Sequence, residues 1–177
     1  MSMRKIAFVA AVPLAVLLLG CGLGSKSDTG SSAGDSGKGG SKVTTVKAGQ
    51  PITVKDSVLG SDTTATVTLS NVKLAVQPED DAEAPEKGQY ITADVAVTVS
   101  KGKYSISSSS FKLVASDGTT YDTTFLSDVQ DLSAADLAAG QKSAGTLVFD
   151  VPKGVETGAK IALEDDLSDS DAGYWTL

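Results

Sequence analysis

Ile91-Thr92-Ala93-Asp94-Val95-Ala96-Val97-Thr98-Val99 puts an apolar residue at every odd position and Thr, Asp or Thr at three of the four even ones. A repeat of two is the signature of a strand, with one face on a core and the other on water. The same alternation recurs outward from this stretch. Ala65, Val67 and Leu69 are odd while Val72, Leu74 and Val76 are even. The face therefore changes across Ser70-Asn71, where a bulge keeps one buried surface continuous. Phe111, Leu113 and Ala115 run up to Asp117-Gly118, a hairpin dipeptide, and Tyr121 lies on the return strand. Leu147, Phe149 and Val151 stop at Pro152 and Gly154, and Ala159, Ile161 and Leu163 follow. Trp175 with Leu177 closes the sheet. From Leu126 to Gly140 two readings stand: a short helix capped by Ser133 and Asp136 and ended by Gly140, or a loop with one helical turn. Seven or eight short strands with almost no helix predict an antiparallel, immunoglobulin-like β-sandwich.

Its core has no Cys-Trp-Cys arrangement, because the chain holds one cysteine, Cys21. Arg4 and Lys5 precede an apolar run from Ile6 to Leu19, the anatomy of a secretory signal peptide. As a helix that run spans only about 21 Å, short of the ~30 Å hydrocarbon core of a bilayer. Leu18, Leu19 and Gly20 before Cys21 resemble the lipobox of bacterial lipoproteins, in which the cysteine is diacylglycerated and becomes the first residue. Residues 1–20 are thus read as a removed signal peptide and Cys21 as the lipidation site. The acyl chains would tie the protein to the outer, extracytoplasmic face of the cell membrane, since two such chains exceed the marginal hold of one. Residues 21–42 follow as a linker. Between Gly22 and Lys42, 13 of 21 residues are Gly or Ser, a flexible tether with a typical span of roughly 25 Å. Residues 43–177 form the β-sandwich domain, the right size for one domain.

Cleavage before Cys21 removes both methionines and Arg4, the only arginine, and the chain has no histidine. Imidazole-based nucleophilic systems and thiolate, thioether or imidazole metal sites are then out of reach. No catalytic residue is assigned and no cofactor is expected. Net charge moves from −7 to −9 as Arg4 and Lys5 leave and every acid stays. Such a body is repelled by nucleic acid, so no nucleic-acid partner is expected.

Gly88-Gln89-Tyr90-Ile91, Ser110-Phe111-Lys112-Leu113-Val114 leading into Asp117-Gly118-Thr119-Thr120-Tyr121, and Gly140-Gln141 followed by Gly145 to Pro152 carry a family resemblance. Over roughly Val43 to Leu163 the chain resembles domain-of-unknown-function family 4352. These immunoglobulin-like domains of bacterial lipoproteins are related in fold to a secreted mycobacterial immunogenic antigen. The resemblance implies a fold and an extracellular setting and brings no catalytic residues with it.

Two acidic runs are candidate calcium sites, because calcium takes oxygen ligands. Glu164, Asp165, Asp166, Asp169 and Asp171 form one, and Glu79, Asp80, Asp81, Glu83 and Glu86 the other. Neither has EF-hand spacing, and acidic loops are usually solvated faces. Paired carboxylates also suit a glycosidase, but the domain has a single Trp at its far end to platform a sugar. Ser105 to Ser110 reads as solvated strand edge. Tyr90, Tyr104 and Tyr121 either cluster as a patch for a partner or lie in the core. The reading is a non-catalytic binding or scaffolding module, its partner an envelope protein or wall polymer. The alternatives are a calcium-binding surface module and, third, an envelope glycan enzyme.

Overall fold

Ile91 to Val99 lies inside β4 (Gln89–Lys101), where every odd residue from Ile91 to Val99 is buried and Ala96 faces solvent. The computed structural model describes residues 43–58, 61–78, 83–164 and 171–177. Around β4 a four-stranded sheet forms from β2 (Pro51–Val58), β3 (Ser61–Val76), β4 and β9 (Lys142–Val151), in the order β2-β3-β4-β9 and antiparallel throughout. Facing it are β1 (Thr44–Lys47), β6 (Phe111–Val114), β7 (Thr120–Asp122), β10 (Lys160–Glu164) and β11 (Asp171–Thr176), ordered β1-β11-β10-β6-β7. A third, two-stranded sheet joins β5 (Lys103–Ile106) to β8 (Ala135–Ala138). The protein is therefore an all-β, immunoglobulin-like sandwich. Its eleven described strands exceed the expected seven or eight through short elements such as β1, β5 and β8, which lack a long alternating pattern.

The core is the apolar face of each sheet. Val67, Leu69, Ile91, Leu147 and Phe149 from one meet Phe111, Leu113, Ile161, Leu163 and Trp175 from the other, all 0% exposed. Each such side chain withdrawn from water contributes about 1.5–3 kcal/mol.

The bulge expected at Ser70-Asn71 is present, and a second follows it. Ser70 pairs with Asp94 but Lys73 with Thr92, and Val76 then pairs with Tyr90. Three residues of β3 twice span two of β4. The extra residues put Asn71 and Ala75 at positive φ, 48° and 51°. The first shift turns Val72 onto the main core. The second separates the three residues grouped on one face: Leu74 is 50% exposed, and Val76 joins Tyr90, Leu126 and Val148 in a smaller cluster on the opposite face of the sheet.

Two other expectations need correction. Residues 135–138 form strand β8, not a helix, and Ser133 caps nothing there. Leu137 points inward opposite Tyr104, and the Asp136 carboxylate accepts a 2.6 Å hydrogen bond from the Ser105 hydroxyl, so backbone pairing with β5 overrides the capping pattern. The loop reading holds for residues 126–134, which carry a turn at Leu126–Val129 and an isolated bridge at Asp131. Secondly, Trp175 does not close the sheet. The strand carrying it, β11, lies between β10 and β1, and β1 adds outside it as a parallel neighbour, an exception to the antiparallel pattern. Gly173 makes this possible, because a Cβ there would stand 2.7 Å from Ile52 Cδ1 and 2.9 Å from the Thr44 carbonyl. The hairpin expected at Asp117-Gly118 is present, with a three-residue loop. Ala115 and Thr119 are joined N–H to O at 2.8 Å, the Gly118 N–H returns to the Ala115 carbonyl, and Gly118 takes φ 88°.

Candidate functional site

The turn at Gly118 sends β7 along the free edge of β6 for three residues only. The chain then leaves that sheet. Thr123 bridges Phe149, and the Thr124 N–H donates to the Val148 carbonyl at 2.8 Å, so the 123–124 segment covers the open edge of β9 in the opposite sheet. Further on, Asp131 bridges Thr146 and extends this cover. Crossing from sheet to sheet leaves a hollow of about 500 Å³ between residues 120–125 and the segment leading into β4.

Asp150, in β9 and buried, fixes the second wall. Its carboxylate accepts the Glu86 N–H at 2.9 Å and the Lys87 N–H at 3.1 Å. Charge-assisted bonds of this kind are stronger than neutral ones. Gly88, at φ 142°, then turns the chain into β4, where the buried Gln89 amide donates to Glu156 Oε2 at 2.7 Å and to the Pro152 carbonyl at 3.3 Å. The Tyr90 hydroxyl donates to the Glu83 carbonyl at 3.1 Å, a second pin on the same wall.

Among the described residues, Glu83, Glu86, Asp122 and Asp150 line the hollow with one cationic residue, Lys87. The Lys87 nitrogen lies 6.0 Å from the centroid of the Tyr121 ring. Phe125 stands at the margin, 70% exposed. Burial first, then the negative charges of Asp150, Glu83 and Glu86, push the Tyr90 phenol above its ordinary value near 10. The folded protein thus holds this proton more tightly than the unfolded chain. Its contribution is complete below pH 10 and is lost as pH rises through the folded value. Urea midpoints measured between pH 8 and 11.5 should fall less steeply above pH 10 in Tyr90→Phe than in the parent. Parallel profiles would show that another group governs the alkaline limb.

Of the residues singled out in the sequence, Glu83, Glu86, Tyr90 and Tyr121 come together here. Tyr104 does not; it packs half-buried on the main core from β5. Ser110 is buried and ends a single 3₁₀ turn over Ser108–Ser110, while Ser108 donates to Asp131 at 3.2 Å. The serine run is therefore partly structural rather than wholly solvated edge. Leu18, Leu19, Gly20 and Cys21 lie outside the described residues, as do Glu79, Asp80, Asp81, Asp165, Asp166 and Asp169. Glu164 is paired with Lys112 at 2.7 Å, and the Asp171 backbone stands opposite it in β11. Among the described residues no three carboxylates converge as a metal ion requires. Asp122 and Phe125 had no signal in the sequence, because only the crossing of residues 123–124 onto β9 sets them beside Glu86 and Lys87, while Asp150 is placed there by the pairing of β9 with β4.

The sequence profile of the domain of unknown function DUF4352 matches residues 52–172. The chain belongs to the DUF4352 family. The match begins inside β2 and reaches into β11, so every described wall of the hollow is part of the DUF4352 domain. It lies somewhat further along the chain than the resemblance over Val43 to Leu163. Among solved structures, the secreted protein MPT63 of Mycobacterium tuberculosis is similar at 23% identity. That likeness spans 78% of this chain and all of MPT63, with a TM-score of 0.60. The ycdA protein of Bacillus subtilis is 20% identical over 65% of this chain and 34% of its own, with a TM-score of 0.45. A functionally unknown protein of Listeria monocytogenes is 14% identical over 71% and 85%, also at 0.45. No curated protein matches the chain. The likeness to MPT63 is one of fold, and the DUF4352 description assigns no activity.

Proposed function

We propose that this DUF4352 protein is a lipid-anchored, non-catalytic binding module on the extracytoplasmic face of a bacterial membrane, and that the hollow beside Phe125 is its working surface. One observation carries the assignment of the surface: a large apolar ring is left 70% exposed at the margin of a concave, carboxylate-lined site. Exposed apolar side chains beside a concavity are where partners dock. The anchor rests on Leu18-Leu19-Gly20-Cys21, and the non-catalytic reading on a chain without histidine and with Cys21 committed to lipid.

Two measurements test this reading. Cys21→Ser should move the protein out of the membrane fraction of its host cell or leave it uncleaved; unchanged, detergent-dependent fractionation and processing would remove the anchor. Photo-crosslinking residues placed at Thr124 and, as control, at Thr98 on the far part of β4 should capture an envelope component at Thr124 alone. Equal background at both positions would remove the hollow as a docking surface.

A further inference from the structure

We propose that the hollow receives the guanidinium or ammonium group of a basic side chain on a partner protein, with an apolar neighbour of that side chain resting on Phe125. This rests on the reading of the hollow as the binding surface and adds the chemistry of what enters it. Charge complementarity is the first ground. Among the described residues lining the hollow, Glu83, Glu86 and Asp122 stand against the single cation Lys87 and make no side-chain ion pair or hydrogen bond, while Asp150 is held by two backbone N–H groups. Their spacing does not suit a metal ion, which needs three or more ligands on one point. A larger organic cation tolerates carboxylates spread around it.

The second ground is Lys87. Its ammonium stands over the face of Tyr121, at about the limit of a cation–π contact. The wall that carries it is held by the Asp150 carboxylate through the Glu86 and Lys87 N–H groups, so this exposed lysine springs from a fixed point. The chain thus supplies its own cation to an aromatic face among carboxylates. A flexible, solvated lysine is a weak occupant, and an incoming arginine, planar and less strongly hydrated, stacks on such a ring better. Phe125 decides for a protein over a free polyamine, since a protein sets a whole apolar side chain on the exposed ring whereas a polyamine offers only the short methylene segments between its charges.

The test uses the full chain in mild detergent and a capped, fluorescent seven-residue peptide with one arginine between two leucines. Its comparison peptide carries the uncharged isostere citrulline. Fluorescence anisotropy should show the arginine peptide binding at least about fivefold more tightly than the citrulline peptide. Binding should weaken in 0.5 M salt, in the Glu86→Gln/Asp122→Asn double variant and in Phe125→Ala. Lys87→Ala should bind the arginine peptide about threefold more tightly, because the competing internal cation is gone. Lys142→Ala, at the end of β9 away from the hollow, should give no such gain, whereas on a generally acidic surface removal of either cation would strengthen peptide binding alike. Equal affinity for both peptides, or unchanged affinity in Lys87→Ala, overturns the proposal. Displacement by spermidine with no effect of Phe125→Ala overturns the choice of a protein partner. If the crosslinker at Thr124 still captures its partner in the double variant at 0.5 M salt, the binding surface stands and the cationic assignment falls. If Thr124 captures nothing above the Thr98 control, the binding surface itself falls.

Discussion

Trp175→Ala should lower the stability of the domain by about 3–5 kcal/mol, visible as a fall of about 10 °C or more in Tm and a matching shift of the urea midpoint. Trp175 is fully buried between the sheets, packed on Phe111 with ring centroids 6.4 Å apart. Its indole N–H donates to the Gln50 carbonyl at 2.8 Å, tying the last strand to the turn between β1 and β2. That turn carries the chain from one sheet to the other, and the Gly49 N–H holds it to the Leu69 carbonyl. Removal of the ring therefore leaves a cavity and an unpaired carbonyl together. Trp175→Phe keeps most of the volume and loses the donor, so its cost should fall well below that of the alanine variant. A loss under about 1 kcal/mol in Trp175→Ala would mean that the Phe111 layer collapses onto the gap, and would remove Trp175 as the centre of the core.

Gly145→Ala should be the most damaging single-methyl change, costing about 3 kcal/mol, with Gly145→Val worse. A Cβ at Gly145 would lie 2.5 Å from both Cα and N of Leu132 and 2.8 Å from the Asp131 carbonyl carbon. All three are backbone atoms, so no rotamer change relieves the contact. The 130–132 segment must lift from β9, breaking the Thr146 N–H bond to the Gln130 carbonyl and withdrawing Leu132, which is 1% exposed. Amide exchange at Thr146 should accelerate along with the loss of stability. Gly140→Ala is the contrast: open space surrounds its Cβ, and only its φ of 86° opposes the change, at about 1 kcal/mol. Equal effects at the two glycines would show that backbone conformation, and not the crossing at Leu132, limits position 145.

Much of the fold was legible in the chain because alternation is a local property. Ile91 to Val99, Leu147 to Val151 and Ile161 to Leu163 bury the expected positions, and the parity change at Ser70-Asn71 located a bulge. Residues 133–138 misled because Ser133 and Asp136 have the spacing of a helix cap, whereas β5 offers that backbone a pairing partner from thirty residues away. The second bulge at Ala75 was hidden for a related reason. Leu74 and Val76 keep the strand period, and only pairing with β4 shows that one faces solvent and the other a separate cluster.

The chemical exclusions and the family's fold were determined by the sequence alone, since residue identity decides what chemistry a chain can supply and strand period decides which face is buried. The candidate site was decided by the tertiary structure. Asp122 and Phe125 converge on Glu86, Lys87 and the β9 residue Asp150 because residues 123–124 leave one sheet to cover the exposed edge of the other. That edge must be satisfied by hydrogen bonds, but which segment reaches it depends on the packing of both sheets, and no short-range pattern in the chain records it.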